Sequence, residues 1–90
     1  MFSRRLRQAR EAAGLSQKGL GIEIGLDPGV ASARINRYEQ AVHLPDIATA
    51  QRLADRLKVP LPYLFASDDG LAQVILDYAA SAKTGNGKDV

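Results

Sequence analysis

Apolar residues recur along this chain every three or four positions, a spacing that predicts helices almost throughout. Phe2, Leu6, Ala9 and Ala13 share one helical face, the arginines at 4, 5, 7 and 10 fall mostly off it, and Gly14 is placed to end the segment in a left-handed conformation. Ser16 then suits the N-cap of a second helix running to Gly25. That second segment is locally ambiguous. Gly19 and Gly21 each cost about 1 kcal/mol relative to alanine inside a helix, and Leu20, Ile22 and Ile24 alternate as a strand would. Helix is preferred because a lone strand has no partner elsewhere in the chain, and because Gly21 lets a neighbouring backbone approach closely.

The third segment opens at Asp27-Pro28, read either as an N-cap with a first-turn proline or as part of a separate tight turn at Pro28-Gly29, so its helix begins between residues 28 and 32. Ala31, Ile35 and Tyr38 make its apolar face; Ser32, Ala33, Asn36, Arg37 and Gln40 lie opposite. A polar face with almost no acid is what a groove-binding helix needs. After a connector ending in Pro45, Asp46 caps a fourth helix with Ile47, Ala50, Leu53, Ala54 and Leu57 as its buried stripe, closed by Lys58 and Pro60. Leu61 to Ala66 suit a short fifth helix with Pro62 in its first turn and with Leu64 and Phe65 as core bulk. Beyond Asp68-Asp69-Gly70, the residues Leu71, Val74, Ile75 and Tyr78 return to helical spacing, and the polar tail 81–90 is expected to be disordered.

Composition narrows the chemistry. Ninety residues make one domain with one modest core. With no apolar run of membrane-spanning length and no signal-peptide pattern, a cytoplasmic protein is expected. There is no cysteine and His43 is the sole histidine, which excludes a disulfide framework and the Cys/His zinc sites. No glycine-rich phosphate motif is present, His43 stands beside no nucleophile, and Asp68-Asp69 suits a helix cap better than a catalytic carboxylate pair. No enzyme, cofactor, metal or small-molecule ligand is therefore expected.

The formal charge is only +2, but residues 1–45 carry seven bases (Arg4, Arg5, Arg7, Arg10, Lys18, Arg34, Arg37) against four acids (Glu11, Glu23, Asp27, Glu39). Such unevenness suits a polyanionic partner, although early arginines also commonly coat a solvated helix face.

Arg10, the string Gly14-Leu15-Ser16-Gln17, Leu20 and Gly25, then Ile35-Asn36-Arg37-Tyr38-Glu39, and downstream Pro45, Leu53-Ala54, Leu57, Val59 and Leu64-Phe65, stand in an order that resembles the Cro and phage-repressor (XRE-like) helix-turn-helix family over roughly residues 4 to 66. The resemblance implies an all-α, five-helix lambda-repressor-like domain over residues 1–66, with a short C-terminal helix over 67–80 added here. It implies a transcriptional regulator, of the repressor kind, that binds specific double-stranded DNA with its third helix in the major groove and its second across the backbone.

By that resemblance Ser32, Ala33, Arg34, Asn36, Arg37 and Gln40 face the bases or their phosphates. Arg37 has the fork for guanine and Asn36 the amide for adenine, and either equally suits a phosphate. Gln17, with Lys18 beside it, matches a phosphate-bonding position; otherwise it is an ordinary first-turn residue. Arg10 and Glu39 match a structural ion pair between the first and third helices.

Three features depart from the family pattern. The segment Leu26-Asp27-Pro28-Gly29-Val30 is longer than the family turn and must lengthen the third helix or bulge before it. Gly21 replaces a usual alanine, implying a weaker second helix, and Ala41 a frequent glycine, implying a looser exit from the third. Tyr38 and Tyr63 are read as core-edge residues. The stripe Leu71, Val74, Ile75, Tyr78 either folds back on the domain or meets a second subunit, and a homodimer on a palindromic operator is the expectation. The alternative is a protein-interaction module, such as an antitoxin or adaptor, built on the same fold. Membrane binding by residues 71–80 is disfavoured because their polar positions offer Gln73 and Asp77 in place of bases.

Overall fold

The computed structural model describes the backbone of residues 1–89 and the side chains of residues 1–82. The described residues form an all-helical chain: α1 (Phe2–Ala12), α2 (Gln17–Glu23), α3 (Ala31–Glu39), α4 (Ile47–Leu57), α5 (Leu61–Leu64) and α6 (Asp69–Asp89). Three of the starts are set by side-chain caps, one of them at α6, where Asp68 Oδ1 accepts the Leu71 amide at 2.8 Å. Ser16 Oγ accepts the Gly19 amide at 2.8 Å to begin α2, and Asp46 Oδ1 accepts the Thr49 amide at 2.7 Å to begin α4. That bond from Thr49 is the main cause holding the Asp46 carboxyl below its usual range.

The stops of α1 to α4 share one device. The amide of Leu15 returns to the Arg10 carbonyl, Leu26 to Gly21, Val42 to Arg37 and Val59 to Ala54, each at 2.9–3.2 Å. Each such turn passes through one left-handed residue: Gly14, Gly25, Ala41 (φ 61) and Lys58 (φ 59). Ala41 thus makes the same tight exit a glycine would, so the looser exit expected from this substitution does not occur; the chain accepts strained backbone there instead.

One core joins the helices. Phe2, Leu6, Leu20, Ile24, Ile35, Tyr38, Leu53, Leu57 and Leu64 are all buried in it. The closest packing is between α2 and α3, where a Cβ added to Gly21 would stand 2.7 Å from the Ala31 Cβ and 3.0 Å from its backbone. Gly21 therefore answers the ambiguity of the second segment: its missing side chain is the space into which the start of α3 fits. The extra residues before α3 bulge without lengthening it. Asp27 Oδ1 accepts the Gly29 amide at 2.8 Å and the Asp27 carbonyl accepts the Val30 amide at 2.9 Å, a self-contained turn around Pro28.

Several core expectations change. Ala13 is exposed, and Ile47 is 69% exposed at the first position of α4, before the buried stripe begins. Phe65 lies near the surface with its ring tilted against Phe2, ring centroids 5.0 Å apart, while Tyr38 is buried in the core where it borders a polar cleft. Arg5, expected off the apolar stripe, is only 3% exposed. Its Nη1 lies 2.8 Å from Asp69 Oδ1, its Nε faces the Ala66 carbonyl and its guanidinium lies 5.7 Å from the Tyr63 ring centre. Arg5, then Arg4, hold the Asp69 carboxyl below its ordinary range, pinning the first turn of α6 to α1.

In α6 the C-terminal stripe divides. Ala72 is buried against the body, whereas Leu71, Val74 and Tyr78 are exposed, the last two by 61% and 74%. The helix continues past residue 80, where the tail was expected to begin. The side chains of residues 83–90, and Val90 altogether, lie outside the described residues.

Two substitutions test the backbone account. Gly21→Ala, which helix propensity alone would favour, is expected to destabilise the fold by about 1–3 kcal/mol through overpacking against Ala31. It lowers the urea midpoint at constant m. Ala41→Gly is expected to raise stability by about 0.5–1 kcal/mol, because relief of the left-handed strain exceeds the added unfolded-state entropy; an unchanged or lower midpoint would contradict the strain.

Candidate nucleic-acid interface

At about 100° per residue, α3 separates into two faces. Ala31, Ile35, Tyr38 and Glu39 are buried, and Ser32, Ala33, Arg34, Asn36, Arg37 and Gln40 are exposed on the remaining arc. All six α3 positions singled out from the sequence therefore lie on one continuous outer surface. Within it the uncharged polar side, Ser32 and Asn36, borders α2, and the basic side, Arg34 and Arg37, borders the connector to α4.

The surface is held from beneath by an ion pair. Arg10 Nε reaches Glu39 Oε2 at 2.5 Å and Nη2 reaches Oε1 at 3.0 Å, while Nη1 donates to the Leu15 carbonyl at 2.9 Å. The Glu39 side chain is 1% exposed and that of Arg10 is 12%. Hydrogen bonding to Glu39 is the main cause holding the Arg10 guanidinium above its ordinary range. Arg10 thus ties the end of α1, the loop before α2 and the end of α3 together.

Glu39 also fixes the start of α2. Gln17 Nε2 donates to Glu39 Oε1 and to Asn36 Oδ1, both at 3.1 Å. An amide nitrogen has two hydrogens, and both are used here. Gln17 therefore turns only its acceptor outward, and bonding a phosphate would require releasing Asn36. Asn36 in turn is oriented with Oδ1 toward Gln17, leaving Nδ2 as an outward donor. This chain of contacts was not visible in the sequence as a chain, although each of its members was named there.

Pairing also decides where the positive charge is available. Arg4 and Arg5 meet Asp69, Arg7 meets Glu11, Arg10 meets Glu39, Arg56 meets Glu23, and Arg52 donates to the Thr49 hydroxyl. Arg34 and Arg37 have no such partner among the described residues. The basic excess of the first helix is spent inside the molecule, contrary to what the charge count suggested, and α3 carries the arginines free to meet an external anion. Lys18 is exposed at the start of α2. Sequence reasoning passed over His43, which lines a polar cleft of 390 Å³ with Arg34, Arg37, Tyr38, Asp46 and Thr49.

The model of the family described as "Helix-turn-helix domain" matches residues 2–63, from the start of α1 into α5. The chain belongs to this helix-turn-helix family. Among solved structures, this helix-turn-helix chain is similar to one described as "Crystal structure of transcriptional regulator BswR", with a TM-score of 0.82 and 38% identity over 100% of this chain and 95% of that one. The likeness thus continues beyond the end of the family match. Comparison with curated protein sequences gives no match. Among the described residues, no helix is long and apolar enough to cross a membrane and no group of acids or histidine is placed to hold a metal ion.

The ion pair gives a direct test. Glu39→Gln leaves the Arg10 charge facing a neutral amide and is expected to cost about 2–3 kcal/mol, below the value for a deep interior because Arg10 lies near the surface. Urea unfolding measures the loss, and coupling Arg10→Met with Glu39→Leu recovers part of it. A loss under about 0.5 kcal/mol would mean the pair behaves as a surface contact.

Proposed function

We propose that this protein is a DNA-binding transcriptional regulator of the Cro and phage-repressor (XRE-like) type, acting as a repressor in the cytoplasm. The observation that carries the reading is the placement of Arg34 and Arg37, neither of which has a side-chain partner among the described residues. Both stand on the exposed face of α3, beside an asparagine oriented by the start of α2. Membership of the helix-turn-helix family and likeness to a transcriptional regulator support it independently.

In this reading α3 enters the major groove, which is about 12 Å wide and admits a helix. Asn36 offers Nδ2 and the second lone pair of Oδ1 to an adenine edge, and Arg37 offers its fork to guanine. Ser32, Ala33 and Gln40 contact neighbouring base edges or methyl groups, and Arg34 meets a phosphate. Gln17 and Lys18 lie over the backbone of the adjacent strand, Gln17 exchanging its bond to Asn36 for one to a phosphate.

The protein acts as a homodimer on a palindromic operator. Leu71, Val74, Ile75 and Tyr78 make the contact, and the exposed apolar side chains of α6 with the 490 Å³ groove between α6 and Pro60 and Pro62 are the surface that a second subunit would cover.

Selection of bound sequences from a random duplex pool tests all of this together. A two-fold symmetric consensus is expected, with log affinity falling linearly with log salt. Arg37→Ala is expected to weaken binding by about 1–3 kcal/mol and to relax the consensus at one position per half-site. A pool without enrichment, or affinity indifferent to salt, would sink the proposal.

A further inference from the structure

The cleft between the C-terminal half of α3 and the start of α4 is not accounted for by base reading. Arg34, Arg37 and Tyr38 line it from α3, His43 from the connector, Asp46 from the cap of α4 and Thr49 from its first turn. Its lining includes one carboxylate, Asp46, whose Oδ1 is engaged with the Thr49 amide. Arg52 donates to the Thr49 hydroxyl at 3.3 Å and acts on the same carboxylate electrostatically. The local balance is therefore positive with His43 neutral and gains one further charge when His43 is protonated. His43 and both α3 arginines are exposed, so an anion arriving from solvent meets all three without rearrangement of the core.

We propose that this cleft seats a backbone phosphate of the bound duplex beside Arg34 and that His43 is its second cation, making affinity for DNA stronger at mildly acidic pH. The inference rests on the duplex-binding reading above. A helix lying in the major groove has a phosphate row on each side, and the connector that leaves α3 on its basic side is where one of those rows would run. A tetrahedral oxyanion suits the Arg34 guanidinium and an imidazole N–H better than a base edge does, and Arg37 at the groove side of the cleft keeps its fork for guanine. Imidazole is the side chain whose charge changes between pH 5 and 8, and His43 is the single histidine of the chain, so a response in that range has one side-chain source.

The test compares the protein with His43→Gln and His43→Arg on a labelled mixed-sequence duplex of about 25 base pairs at low salt, where phosphate contacts dominate binding. The unsubstituted protein is expected to bind roughly two- to five-fold more tightly at pH 5.5 than at pH 8, the range of an exposed ion pair. Its log–log salt slope should be steeper by about 0.9 at the lower pH, one added phosphate contact. His43→Gln should keep the affinity seen at pH 8 and lose the response, and His43→Arg should bind tightly at both. A response that survives in His43→Gln, or duplex binding without any response, overturns this inference and leaves DNA binding standing. Failure to bind any duplex at either pH overturns the reading beneath it.

Discussion

The Arg10–Glu39 ion pair is the joint on which the outer surface of this protein depends. Bringing two charges into a dry setting is unfavourable unless nearly every donor and acceptor is satisfied. Here the guanidinium uses three nitrogens, two on the carboxylate and one on the Leu15 carbonyl, and Glu39 Oε1 takes a further bond from Gln17. A hydrophobic pair of the same volume would hold the helices together but would not set the rotation of α3 or orient the amides of Gln17 and Asn36. Four hydrogen bonds of fixed direction do both.

The same chemistry governs how a chain with a net charge of only +2 presents a basic surface. Arg4, Arg5, Arg7, Arg10 and Arg56 are each held by an acid, so their fields largely cancel at a distance. Arg34 and Arg37 are not cancelled in this way among the described residues, and they lie one helical turn apart on a face with no acid. Field strength at a binding surface follows from which charges are left without a counterion, and the total charge says little about it.

Geometry at the backbone supplies the remaining constraint. The start of α3 can press against α2 only because Gly21 has no side chain, and the chain leaves α3 through a left-handed alanine held by the Val42–Arg37 and Ala41–Tyr38 hydrogen bonds. The turn around Pro28 absorbs the extra residues of this helix-turn-helix before α3 begins. Arg5 extends the same scaffold, fastening α6 to α1 through Asp69, so the exposed apolar face of α6 projects from a fixed base.

The number of main helices, most of their caps and the outward face of α3 were legible in the sequence, because apolar period, capping residues and left-handed glycines act over a few residues. Gly21 was legible as a place of close approach, but its partner Ala31 was not, since nothing local says which backbone will arrive. Arg5 and Arg7 read alike in the sequence, yet one is buried and the other is exposed, because burial depends on where α5 and α6 cross α1. Gln17, Asn36, Glu39 and Arg10 were each identifiable. Only the tertiary structure, by packing three helices around one carboxylate, decided that Gln17 spends both its hydrogens inside the protein and that His43 joins Arg34 and Arg37 in one cleft.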